Sequence, residues 1–148
     1  LIMTTVIQKL REETGAGVME CKRALEEANG DLNLAKEIIA KRGLAKAEKK
    51  SDRATGAGLL EAYIHNGRIG VLLELRSETD FVARSEPVKA LVHDLALHIS
   101  ALGPESVEDL LKQPYAKDES KTVEEVIKGV IAKVGENLKV ARFVRYQV

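Results

Sequence analysis

Few side chains of this 148-residue chain stand in an arrangement that could catalyse a reaction. A catalytic thiol needs a histidine partner and a lowered pKa, whereas Cys21, the only cysteine, falls on the apolar stripe of a predicted helix. His93 and His98 miss the i,i+4 spacing of helical metal ligands, and we interpret all three histidines as solvent-facing or locally hydrogen-bonded. Gly15-Ala16-Gly17 lacks the preceding strand and the following Lys-Ser/Thr of a phosphate loop. We therefore predict a protein that acts by binding, without enzymatic activity, cofactor or metal.

The segment Thr-Asp-Phe-Val-Ala-Arg-Ser at 79–85 is the strongest candidate for a binding site. It lies between a predicted hairpin and a predicted amphipathic helix, so we expect a loop. One of the two phenylalanines of the chain, Phe81, stands in it. Loops carry function more often than packing, and aromatic side chains often anchor protein–protein contacts. Two interpretations stay open: Phe81 contacts a partner, or it folds back as a lid on the core.

Composition narrows the class of protein. A formal net charge of +0 provides no overall field to concentrate nucleic acid or an anionic membrane, and an apolar share of 45% argues against disorder. No apolar run approaches the roughly 20 residues of a membrane span, and no signal peptide is visible. A lone cysteine fits a reducing compartment.

Three short helices are predicted within residues 3–44. Thr5 and Gln8 form a capping-box pattern for the first helix, and Gly43 is expected to stop the third. Met19 lies beside the apolar stripe of the second helix, next to the glycine turn. It either belongs to an exposed docking patch or widens the buried stripe. Residues 45–57 form a charged linker with a basic excess, for which a solvated connector and RNA contact are both considered.

An α+β domain is predicted over residues 58–148. Asn66-Gly67 signals a hairpin, and a two-residue loop would pair Ile64 with Ile69, Ala62 with Val71 and Leu60 with Leu73 on one apolar face.

Further elements complete this domain. Periodicity predicts helices after Ser85 and Thr122, a short helix plus a loop within 105–120, and a last strand over 138–148. The expected fold is a three-helix bundle followed by a small antiparallel three-stranded sheet with helices on one face.

Three motifs carry a resemblance to a known family. Thr-Gly-Ala-Gly-Val-Met-Glu-Cys-Lys-Arg-Ala-Leu at 14–25, Thr-Asp-Phe-Val-Ala-Arg at 79–84 and Ile-Ala-Lys-Val-Gly-Glu-Asn at 131–137 occur in the order found in translation elongation factor Ts. The chain resembles that family over essentially residues 4–148. The resemblance implies a ubiquitin-associated-like N-terminal domain and a guanine-nucleotide exchange factor for the GTPase elongation factor Tu, in its GDP-bound and nucleotide-free forms. It also implies a cytoplasmic protein of bacterial type, with an organellar origin left open.

The resemblance also implies which residues meet the partner. Asp80 and Phe81 would act beside the Mg²⁺ site of elongation factor Tu. The remaining predicted contacts are Thr79, Val82 and Arg84 in the same segment and Leu10, Val18, Met19 and Lys22 in the bundle.

Short length leaves room for one core subdomain, where longer members have two. We therefore expect a homodimer through the core and the last strand, and no membrane or specific nucleic-acid partner. A ubiquitin-type adaptor, based on the bundle alone, is the rival hypothesis, but it leaves the core and Phe81 unexplained.

Overall fold

The structure is a computed structural model that describes residues 2–148. Two groups of elements follow one another along the chain, a helical bundle and a mixed domain. The helices are α1 (Ile2–Thr14), α2 (Val18–Glu27), α3 (Leu32–Glu48), α4 (Asp80–Ala83), α5 (Glu86–Leu102), α6 (Val107–Lys112) and α7 (Val123–Val134). The strands are β1 (Ala57–His65), β2 (Ile69–Ser77), β3 (Pro114–Tyr115), β4 (Asp118–Thr122) and β5 (Leu138–Gln147).

Helices α1 to α3 enclose a small core of their own. Its buried members are Leu10, Cys21, Ala24, Leu25, Ala28, Ala35 and Ile39. Asp31 caps α3, because its carboxylate accepts hydrogen bonds from the backbone N–H groups of Asn33 and Leu34. The predicted capping box at Thr5 is wrong, since α1 begins at Ile2 and Thr5 lies inside the helix.

Helix α3 does not stop at Gly43, which corrects the predicted helix end. It continues to Glu48, and at Gly43 it approaches α7 so closely that an added Cβ would lie 3.4 Å from Cβ of Ala132. Ala47 is buried in the core of the mixed domain, and Glu48 pairs with Lys128 of α7. Packing against α7 therefore outweighs the weak helix propensity of one glycine, and the first four residues of the expected linker, 45–48, are helical.

The mixed domain is a three-stranded antiparallel sheet of order β1-β2-β5 with helices on one face. This confirms the predicted fold class and the predicted third strand. The inward side chains of β2 and β5 pack against α5 and α7, each of which contributes one apolar face. The largest fully buried members of this core are Leu73, Leu75, Val88, Val92, Leu95, Ile99, Leu110 and Val123.

The predicted pairing of β1 with β2 is wrong by one residue. The turn forms at Asn66-Gly67, where both residues have positive φ and the N–H of Arg68 donates to the carbonyl of His65. Arg68 then lies outside the β1–β2 ladder, and its carbonyl accepts from the N–H of Val148 instead, so Ile69 pairs with His65. A shift of one residue sends every β1 side chain to the opposite face.

Two short strands, β3 and β4, form a second sheet where only a helix and a loop were predicted. His98 of α5 binds the residues on either side of β3: its Nε2 lies 2.9 Å from Oε1 of Gln113, and its Nδ1 lies 3.1 Å from the backbone nitrogen of Ala116. The imidazole is buried and stacks on Tyr115. The interpretation of His98 as solvent-facing or locally bonded is therefore wrong, because its partners are distant in sequence.

Candidate functional site: the Phe81 turn and the helical patch

The segment around Phe81 is a single helical turn, α4, and not the expected loop. Thr79 caps this turn by accepting a hydrogen bond from the N–H of Val82. Val82 and Ala83 point into the core and fix the turn against the sheet and α5. Two serines hold its ends, since Ser77 donates to the carbonyl of Thr79 and Ser85 donates to the carbonyl of Val82. The turn is thus anchored on one side and open on the other.

Phe81 occupies the open side of the turn. Its side chain is 83% exposed, so the interpretation of Phe81 as a lid over the core is wrong. Asp80 and Arg84 flank it, are exposed, and make no side-chain hydrogen bond or ion pair with the residues that the structure describes. An aromatic ring held out to solvent between an acid and a base is a surface arrangement that suits an anchor in a partner's pocket.

The motif at the end of α7 holds the segment that precedes Phe81. The carboxylate of Glu136 accepts from the backbone N–H of Thr79 at 3.0 Å and from its hydroxyl at 2.8 Å. Beside it, the N–H of Asn137 donates to the carboxylate of Glu78 at 2.6 Å. The sequence showed both motifs but gave no sign that they touch, because 57 residues separate Thr79 from Glu136.

A second exposed patch lies on the helical bundle. Val18 and Met19 at the start of α2 are 46% and 59% exposed, and Lys22 follows on the exposed surface. Met19 therefore does not widen the buried stripe.

Two predicted contact residues do not lie on the surface. Leu10 is 0% exposed in the core of the bundle, and Val82 is 8% exposed in the larger core. The free chain therefore does not present these two side chains on its surface, and their contact with a partner stays a prediction.

Two potentially reactive side chains, the thiol of Cys21 and the phenol of Tyr115, are buried in the protein core. Burial raises the pKa of the Cys21 thiol, which favours the unreactive thiol form. Burial likewise raises the pKa of Tyr115 to about 12, with the nearby Asp94 carboxylate adding to the effect. Among the described residues, no group of three or more His, Cys, Asp or Glu side chains could hold a metal ion. No helix in that part of the chain is long and apolar enough to cross a membrane.

The outer face of the sheet is an apolar surface that the sequence analysis missed. The register shift turns alternate β1 side chains outward, next to those of β2 and β5. Its exposed apolar members are Leu60, Ala62, Ile64, Leu72, Val144 and Tyr146. At one end, hydrogen bonds from Arg142 and Arg76 lower the pKa of the Glu74 carboxyl. The sequence pattern favoured the opposite orientation, because the outward set, Leu60, Ala62 and Ile64, is the more apolar of the two alternating sets of β1.

Comparison with known proteins identifies the family. The family model described as elongation factor TS matches residues 78–148, the stretch that contains the Phe81 turn, α7 and β5. Elongation factor Ts of Coprothermobacter proteolyticus is 42% identical over 98% of this chain and 97% of its own length. The chain belongs to the elongation factor Ts family.

Other relatives extend this result to bacteria and chloroplasts. Elongation factor Ts of Thermotoga neapolitana is 43% identical over 97% of this chain and 95% of its own length. A chloroplastic polyprotein of EF-Ts from Oryza sativa subsp. indica is 42% identical over 98% of this chain and 17% of its own length. The bacterial match to C. proteolyticus runs over 191 positions, more than the 148 residues here, so that relative carries additional residues inside the matched region. Family membership implies nucleotide exchange on elongation factor Tu during translation.

Proposed function

We propose that this protein promotes GDP release from elongation factor Tu by docking on its G domain and presenting Phe81 and Asp80 to the Mg²⁺ and phosphate site. The observation that carries the proposal is the 83% exposed ring of Phe81 on an anchored turn, within the part that matches the family. A large exposed aromatic ring has no role in the core of this chain. Its burial in a partner supplies binding free energy.

Exchange follows from linkage and needs no covalent chemistry. A factor that binds the nucleotide-free GTPase more tightly than the GDP-bound form must weaken GDP binding by the same factor. In this mechanism Phe81 enters an apolar pocket near the Mg²⁺ site, while Asp80 contacts polar groups beside it. Displacement of the ion removes a large positive charge next to the phosphates, and GDP then dissociates.

The helical patch supplies a second contact with elongation factor Tu. Val18 and Met19 offer exposed apolar surface, and Met adapts well to a partner's shape. Lys22 adds a positive charge on the same exposed end of α2. Helix α2, which carries the patch, packs on α3 in the core of the bundle. Because α3 is in turn joined to α7 through Ala47 and the Glu48–Lys128 pair, the patch is connected to the mixed domain.

Affinities for the two forms of the partner test the mechanism. Isothermal titration against nucleotide-free and GDP-bound elongation factor Tu should give tighter binding to the nucleotide-free form. The ratio of the two dissociation constants should equal the factor by which this protein weakens GDP binding. Equal affinities would contradict exchange activity and would favour an adaptor that binds through the bundle.

We also propose that two copies associate through the outer face of the sheet. Contiguous exposed apolar surface on a soluble domain marks an interaction site. The helices cover only one face of this sheet, so its apolar outer face is open for a second layer to pack on it. Leu72 and Val144 lie in register at the centre of this face, and Glu74 and Arg142 at its edge offer both charges to an identical face. Association therefore uses the face of the sheet, rather than the backbone edge of β5.

The site of action is the compartment in which translation runs. Bacterial relatives support the cytoplasm, and the similar identity to a chloroplast relative keeps an organelle as the second candidate. No feature of the basic segment at 45–57 favours RNA as a partner, because part of it is helix α3 packed on α7.

A further inference from the structure

We propose that Glu136 is a positioning residue of the exchange site: it clamps Thr79 and thereby sets the direction in which Phe81 and Asp80 face the partner. This inference rests on the proposed function of the Phe81 turn. Glu136 lies just after the end of α7, where Gly135 adopts a left-handed conformation with φ of 79°. That C-cap ends the helix and brings the carboxylate of Glu136 to Thr79, the N-cap of α4.

The geometry of the clamp fixes both the backbone and the side chain of Thr79. Oε1 of Glu136 accepts from the Thr79 N–H at 3.0 Å, and Oε2 accepts from the Thr79 hydroxyl at 2.8 Å. A hydroxyl has one proton to donate, so donation to Glu136 leaves its lone pairs to accept from the N–H of Val82, at 3.3 Å. Glu136 therefore orients the hydroxyl that caps α4.

The hydrogen bonds between Thr79 and Glu136 are needed because the single turn α4 is not stable on its own. It has four residues, and a single helical turn is unfavourable in isolation because several dihedral angles are fixed for one hydrogen bond. Phe81 contributes little to holding the turn, since most of its side chain faces solvent. Buried Val82 and Ala83 anchor the C-terminal side of Phe81, and the Thr79–Glu136 clamp anchors the N-terminal side.

The neighbouring residue Asn137 has a different role. It is buried, and its side-chain amide donates to the carbonyls of Ser51 and Arg53 at 3.3 and 2.9 Å. Its backbone N–H donates to Glu78, whose carboxylate lies 3.7 Å from the Arg53 guanidinium. Asn137 thus joins the segment after α3 to the end of β2 and supports the fold, whereas Glu136, partly exposed, acts on the turn alone.

The test measures stimulated GDP release from elongation factor Tu over a range of factor concentrations, with the full chain. We expect Glu136→Ala to lower the maximal stimulated rate roughly tenfold, the size of one or two lost charge-assisted hydrogen bonds. The maximal rate with Glu136→Gln should lie between those of the wild-type protein and Glu136→Ala. Its amide oxygen still accepts from the Thr79 N–H, but its NH₂ group cannot accept from the Thr79 hydroxyl. Glu119→Ala, which removes an exposed glutamate on β4, is the charge-matched control and should change the rate less than about twofold.

A double variant separates positioning from a general structural role. If Glu136 acts through Phe81, adding Glu136→Ala to Phe81→Ala should change the residual rate by less than about twofold. The same loss in both backgrounds, or no loss in either, would overturn the proposal while the function of Phe81 stands. Normal release by Phe81→Ala would instead refute the proposed exchange site and the positioning role together.

Hydrogen exchange of the free protein gives a readout that needs no partner. Glu136→Ala should speed exchange at the Val82 N–H at least about fivefold and leave the amides of α5 and α7 unchanged. Uniform acceleration over the whole domain would show that Glu136 serves only global stability and would overturn the proposal.

Discussion

Two adjacent residues of α4, Phe81 and Val82, should respond in opposite ways to truncation. Phe81 is 83% exposed and Val82 is 8% exposed, so one side chain is available to a partner and the other to the core. Complete burial of a phenylalanine side chain contributes about 1.5–3 kcal/mol. Because Phe81 is exposed in the free protein, nearly all of this free energy is available for binding the partner. Phe81→Ala should therefore weaken the complex with nucleotide-free elongation factor Tu by about 2 kcal/mol, roughly 30-fold.

The same structure predicts the effect on folding. Phe81→Ala should change the free energy of unfolding by less than about 0.5 kcal/mol, as expected for a surface substitution. Val82→Ala removes two buried methyl groups. It should lower the free energy of unfolding by about 2 kcal/mol, which includes the cost of the cavity left behind.

The assay pairs urea unfolding with release of a fluorescent GDP analogue from elongation factor Tu. At a temperature where both variants are folded, Phe81→Ala should stimulate little release, and Val82→Ala should retain much more of it. A folded Phe81→Ala variant with normal release would refute the assignment of the exchange site. A loss of 2 kcal/mol of unfolding free energy in Phe81→Ala would refute the placement of the ring in solvent.

Three further predictions concern other surfaces and one buried phenol. Met19→Asp should weaken the complex with elongation factor Tu at least tenfold, because it removes an apolar anchor, and should leave the free energy of unfolding unchanged. An unchanged affinity would refute the role of the helical patch. Because the pKa of Tyr115 is raised from 10.0 to about 12, the unfolded chain ionises first, so stability should fall as pH rises between these values. Tyr115→Phe should lose that part of the alkaline slope, whereas Tyr146→Phe, at an exposed tyrosine, should keep it. Sedimentation at tens of micromolar should show a dimer that Leu72→Asp converts to a monomer, and a monomeric wild-type protein would contradict association through the sheet.

Local patterns in the sequence predicted most elements of the fold. The 3.6-residue periodicity of α5 and α7, the start of a helix after Thr122 and the hairpin turn at Asn66-Gly67 all appear in the structure. The register of the hairpin did not follow, because the more apolar of the two alternating sets of β1 is the one that faces outward. In the structure the carbonyl of Arg68 accepts from the N–H of Val148, just after β5, a contact that no local pattern reveals.

Elements that depend on tertiary contacts were the ones that sequence reasoning misplaced. Helix α3 passes Gly43 because α7 packs against it, and the short strand β3 is held on both sides by hydrogen bonds to His98. The candidate site was found from its residue types, since an aromatic between two charges is unusual in a connecting segment. Its supporting clamp could not be found, because Glu136 reaches Thr79 only in the folded chain.

The most direct test of the central claim is the rate of GDP release from elongation factor Tu with and without this protein. The loaded GTPase is mixed with excess unlabelled GDP, and the loss of a fluorescent analogue is followed over time. The proposed function predicts strong acceleration that rises with factor concentration to a plateau and is largely lost with Phe81→Ala. No acceleration by a wild-type protein that binds elongation factor Tu would contradict the account.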